Sequence, residues 1–143
     1  MPESNVEAVK AKVQAILVDI ATVTLESNGY SIAMGSTKVF VDVSPFGDES
    51  TVIRLWAPVL IEVTPSNELY EYVALNADAY VFGHLHACLT ESGTVNILMS
   101  HNLLGDFIDR DEIGRALYAV VGTADGIDNE LQKRFGGKLL SEI

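Results

Sequence analysis

Two of the three histidines and the only cysteine alternate along His84-Leu85-His86-Ala87-Cys88. Alternate residues of a strand share one face, so this spacing would align two imidazoles and a thiol, donors that suit zinc or copper. The third histidine, His101, joins them only in one register. If Ser92-Gly93 is a two-residue turn with Glu91 opposite Thr94, His84 stands opposite His101 and His86 opposite Met99. A slip of one residue turns His101 to the other face and dismantles the group. Donors in a flat row also splay apart, whereas a tetrahedral ion needs convergent ones. The competing reading of His84, His86, Cys88 and His101 is a half-buried strand pair whose histidines find hydrogen bonds.

A second place for chemistry is the acidic stretch near the C-terminus. Asp109, Asp111 and Gly114 match the first, third and sixth positions of a calcium-binding EF-hand loop, but Ile113 at the fifth and Val120 at the twelfth cannot supply the oxygens required. These carboxylates instead favour the positive end of a helix dipole. Asp125, Asp128 and Glu130 read as a solvated helix face. No P-loop, dinucleotide-binding glycine pattern, nucleophile elbow, zinc-protease motif or paired CxxC occurs, so no cofactor and no catalytic group is assigned. A small enzyme would need a site assembled from residues distant in sequence.

The elements that must position these groups follow from periodicity. Ser4 and Glu7 have capping-box spacing ahead of a helical stripe of Val9, Val13, Ile16, Leu17, Ile20 and Val23, which Asn28-Gly29 would stop. The period then becomes two: Tyr30 to Met34 and Val39 to Val43 form a hairpin about Gly35-Ser36-Thr37, and Thr51 to Val63 a long third strand. Pro58 lacks the N–H of an interior strand, so that strand should lie at an edge or be bulged there. Thr64-Pro65 opens a short second helix through Ala77. Two strands follow, Tyr80 to Thr90 and Thr94 to Leu104, then a long helix from Asp109 with Ile113, Leu117, Val121, Ala124, Leu131 and Phe135 buried, ended by Gly136-Gly137. The sequence therefore predicts one α+β domain over 1–143, in the order αβββαββα, with a mainly antiparallel five-stranded sheet and three helices on one face.

The other face is informative. If odd-numbered residues face the helices, strand two presents Phe40 and strand three Arg54, Trp56 and Leu60 away from them. Such a set forms an apolar patch for partner capture or dimerisation, or else packs locally. Phe82, on the strand after the second helix, is a further candidate for association.

Charge narrows the partners. Nine Lys and Arg against 20 Asp and Glu give a net charge of −11 over 143 residues, which repels nucleic-acid backbones and anionic membranes. No apolar run is long enough for a membrane helix, no signal-peptide core follows Met1, and Cys88 alone closes no intrachain disulfide. The expected location is the cytoplasm.

The run Leu103-Leu104-Gly105-Asp106, then Asp109-Arg110-Asp111-Glu112-Ile113, Ala124-Asp125-Gly126-Ile127-Asp128 and Phe135-Gly136-Gly137 resembles the YbjN-like family of bacterial proteins, which shares its architecture with type III secretion chaperones. The resemblance implies a small, acidic, non-enzymatic protein, often a homodimer, that binds an extended segment of a protein partner or client or takes part in regulation. It supplies no catalytic residue to carry over, and nothing in the sequence identifies a secretion system. A metal-binding regulator using the His-x-His-x-Cys strand is the competing function.

Overall fold

A computed structural model describes residues 2–143, with side chains from residue 5 onward. The first helix, α1, runs Pro2–Ile20, so it already includes Ser4, whose proposed capping side chain lies outside the described ones. It ends well before Asn28-Gly29. Thr22, Val23 and Thr24 are β-branched, stiff at χ1 and better suited to an extended chain. The residues that follow form β1 (Thr24–Glu26), which turns through Ser27-Asn28 and pairs with β2 (Gly29–Met34). The sheet thus has six strands where periodicity predicted five.

The remaining strands are β3 (Thr37–Phe46), β4 (Ser50–Val63), β5 (His84–Leu89) and β6 (Val95–Leu104). All pairings are antiparallel, in the order β1-β2-β3-β4-β6-β5. The long strand β4 is central, and Pro58 is accommodated by a bulge. Pro58 stands opposite Leu98 and Leu60 opposite Ile97, so Val59 is an extra residue and the alternation reverses there. A second irregularity follows before Val63. Ile61 leaves β6 and exchanges two 2.7 Å backbone hydrogen bonds with Lys138, while Glu62 adopts a positive φ of 56°.

Helix α2 (Asn67–Leu75) starts two residues later than Thr64-Pro65 suggests, because the Ser66 hydroxyl accepts from the Leu69 N–H and caps it. Helix α3 (Arg110–Phe135) is capped as expected by Asp109, whose carboxylate accepts from the Glu112 N–H at 2.8 Å. Its buried stripe of Ile113, Ala116, Leu117, Val120, Val121, Ala124 and Leu131 packs with Val13 and Leu17 of α1 on Val39, Val41, Ile53, Leu55, Ile97 and Met99 of the sheet. In β3, β6 and the first part of β4 the odd-numbered residues face the helices, leaving the even-numbered ones on an open face.

One polar residue breaks this division. Asp128, expected on a solvated helix face, is buried at 1% exposure and contacts the Ser36 hydroxyl in the β2–β3 turn. The same hydroxyl donates to Asp125 at 2.8 Å. These two carboxyls fasten α3 to the hairpin.

Candidate functional site

The open face is built by cross-strand neighbours. Phe40 of β3 stands opposite Trp56 of β4, Trp56 opposite Ser100 of β6, and Ser100 opposite His84 of β5. The Phe40 and Trp56 rings stack with centroids 4.2 Å apart at 15°, and both are half-buried. Lys38 lies 5.2 Å from the Phe40 ring centre and 3.5 Å from Glu26, which accepts from the Ser31 hydroxyl. The adjoining row runs Asp42, Arg54, Asn102.

A groove of about 380 Å³ lies between these rows, bounded by Trp56, Leu98, Arg54, Asn102, His84 and His86. A second groove of about 210 Å³ opens between Trp56 and the β1–β2 turn at Ser27, Asn28 and Gly29. Gly29 keeps that turn close to the sheet, because a Cβ there would come within 2.1 Å of the Val41 carbonyl oxygen. Burial pushes the Asp42 carboxyl up from its ordinary value, with Arg54 and Lys10 acting in the opposite direction. Among the described residues Asp42 Oδ1 is buried with no hydrogen-bond partner.

Of the residues expected in an apolar patch, Phe40 and Trp56 come together. Leu60 does not: the bulge at Val59 turns it into the core, where it is 0% exposed. Phe82 precedes β5 because Gly83, at φ +93°, breaks the strand's regular run, and its ring meets His101 edge-on at 5.6 Å. It is exposed, but it does not lie beside Trp56.

The histidines fall in the slipped register. The loop closing β5 and β6 has three residues, Glu91 to Gly93: the Thr90 N–H donates to the Thr94 carbonyl at 2.9 Å, the Gly93 N–H donates back to Thr90 at 3.2 Å, and Gly93 takes φ +86°. His84 therefore stands opposite Ser100 and His86 opposite Leu98. His101 shares the helix-facing side with Met99, away from His84 and His86. The His86 ring bonds through Nε2 to the Ser100 hydroxyl at 2.7 Å, with the Cys88 sulfur 3.5 Å from Nδ1. Burial lowers the pKa of His86, and of His101 separately, and charge repulsion from His84 adds to both effects. Among the described residues no three His, Cys, Asp or Glu converge as ligands for a metal ion.

Parity placed Arg54 on this face from the sequence, whereas Asn102 and Ser100 were not singled out. The same signal was available for them, since all three share the side of Trp56 once the register is known.

The family model described as T3SS (YopN, CesT) and YbjN peptide-binding chaperone 1 matches residues 4–142, and the chain belongs to that family. Among solved structures it is similar to YbjN from E. coli, at 8% identity and a TM-score of 0.60, over 85% of this chain and 92% of that one. It is also similar to an uncharacterized protein from Methanothermobacter thermautotrophicus, at 12% identity and a TM-score of 0.55, over 90% and 99%. No curated protein matches the sequence significantly. Among the described residues no helix is long and apolar enough to cross a membrane.

Proposed function

We propose that this chain is a non-enzymatic protein-binding module, chaperone-like or regulatory, that holds an extended segment of another protein across the open face of its sheet. The observation that carries the reading is the stacked Phe40–Trp56 pair, left half-exposed on the face away from the helices. Large aromatic side chains in shallow grooves are the commonest anchors of protein recognition. Flanking grooves on both sides of Trp56 give room for alternate side chains of an extended ligand. Membership in a family described as peptide-binding chaperones supports the same reading. Titration with extended peptides before and after Trp56→Ala tests it; binding that survives the substitution unchanged rejects the face.

A homodimer is part of this proposal. β5 ends the sheet, and His84–Leu89 carries no Asp, Glu, Lys, Arg or proline, the devices that usually keep an edge strand from pairing. Val81, Phe82 and Leu89 are exposed beside it. Sedimentation equilibrium should give twice the 15.5 kDa chain mass, and Leu89→Lys should return the monomer. A monomer in the wild type removes this part.

A further inference from the structure

We infer that the groove beside Trp56 receives a carboxylate of the bound segment, with Arg54 as its partner. This rests on the peptide-binding reading and names the chemistry of the ligand.

Arg54 is two residues from Trp56 on the same face of β4, so one extended ligand can reach both. The ion pairs among the described residues engage Lys10, Lys38, Arg110, Arg134 and Lys138. Lys12, Arg115 and Lys133 lie exposed on helices; Arg54 is also exposed, but it borders a groove on the open face. The natural mate for Arg54 is Asp42, directly opposite on β3, yet no ion pair among the described residues joins the two. Asp42 instead turns one oxygen inward, and burial there favours its neutral form.

The other groups around the groove add donors. Asn102 stands across from Arg54 on β6, and Ser100, His84 and His86 complete the wall. Lys10 of α1 reaches the neighbouring cavity that Arg54 also borders. Among the described residues Asp42 is the only carboxylate lining the groove. A guanidinium presents two parallel N–H bonds to a carboxylate, and a ligand carrying Glu or Asp satisfies it while its apolar neighbour lies on Trp56 and Leu98. The net charge of −11 does not oppose this at short range, because charges beyond about 10 Å are largely screened at 0.1 M salt.

The test uses three blocked heptapeptides of alternating serine and leucine that differ only at the central position, which is glutamate, glutamine or lysine. Isothermal titration of the full chain should rank glutamate first, by roughly five- to tenfold over glutamine, with lysine weakest. Arg54→Gln, with folding checked by circular dichroism, should bind the glutamate and glutamine peptides equally. Binding that is blind to the central charge, or that prefers lysine, overturns this inference and leaves the peptide-binding reading standing. Failure of all three peptides to bind the wild type overturns both.

Discussion

Asp128, on the last helix, contacts the hydroxyl of Ser36, which lies 92 residues earlier in the chain at the tip of the β2–β3 hairpin. That hydroxyl also lies 2.8 Å from Asp125, and the Ser36 N–H donates to the same Asp125 oxygen at 2.9 Å. A hydroxyl has one proton, so it cannot donate to two carboxylates at once. The arrangement is satisfied when Asp128 is the neutral partner and donates to Ser36. Burial pushes the Asp128 carboxyl up, while the bonds from Ser36 hold Asp125 below its usual value.

The two aspartates should therefore respond to pH with opposite signs. Asp128 binds its proton more tightly folded than unfolded, so its stabilising contribution is complete in acid and is lost as pH rises through its folded value. Asp128→Asn should be more stable than wild type at neutral pH by about 1 kcal/mol, with the difference vanishing toward acid. Asp125 is the reverse case. Asp125→Ala should cost about 1–2 kcal/mol at neutral pH, a cost that fades as pH falls through its depressed value. Urea unfolding across acid to neutral pH reads both; shifts of the same sign would reject the assignment of the proton.

Trp56 and Leu60 are four residues apart on one strand and should separate binding from folding. Trp56→Ala is expected to keep its helicity and lose peptide affinity on the order of tenfold. Leu60→Ala opens a hole in the core and should cost about 2–5 kcal/mol of stability with peptide affinity of the folded protein unchanged. Denaturant melts run beside calorimetry distinguish the two, and a Trp56→Ala protein that unfolds would return Trp56 to a packing role.

The hairpin between β5 and β6 depends on one backbone conformation. No atom lies near an added Cβ at Gly93, so Gly93→Ala should cost only the left-handed penalty, about 1–2 kcal/mol. Gly93→Asn should cost less, because asparagine tolerates that region. Equal costs for the two substitutions would show that φ is not the cause.

Zinc should not bind at one equivalent. His101 is on the opposite side of the sheet from His84 and His86, and the Ser100 hydroxyl already holds Nε2 of His86. Titration calorimetry with zinc chloride checks this, and a stoichiometric heat abolished by His86→Ala would restore a metal site.

Long periodic segments were legible in the sequence, and local reversals were not. The α3 stripe from Ile113 to Leu131 and the alternation of Val39, Val41, Ile53 and Leu55 repeat often enough to outweigh any single residue. The parity that sets Phe40, Arg54 and Trp56 on one face came from the same repetition. Leu60 was misplaced because the bulged residue just before it reverses the alternation at that point. Pro58 signalled the bulge but not the residue at which the alternation would change. Val23 fitted a helical stripe as well as a strand approach, and only its β-branched neighbours favoured the extended chain. The histidine register hung on whether a Ser92-Gly93 turn closes after two residues or three, and Gly93 suits both. Asp128 looked solvent-facing because the partner that draws it inward, Ser36, is remote in sequence.

The chain has a single tryptophan, Trp56, and it stands on the open face. Most lone tryptophans report on the packing of an interior; the emission of this one is a built-in gauge of whether the face is occupied. A ligand that displaces water from the indole should shift its colour toward the blue without any label. The signal would follow arrival and departure in real time, and unfolding would move it the other way.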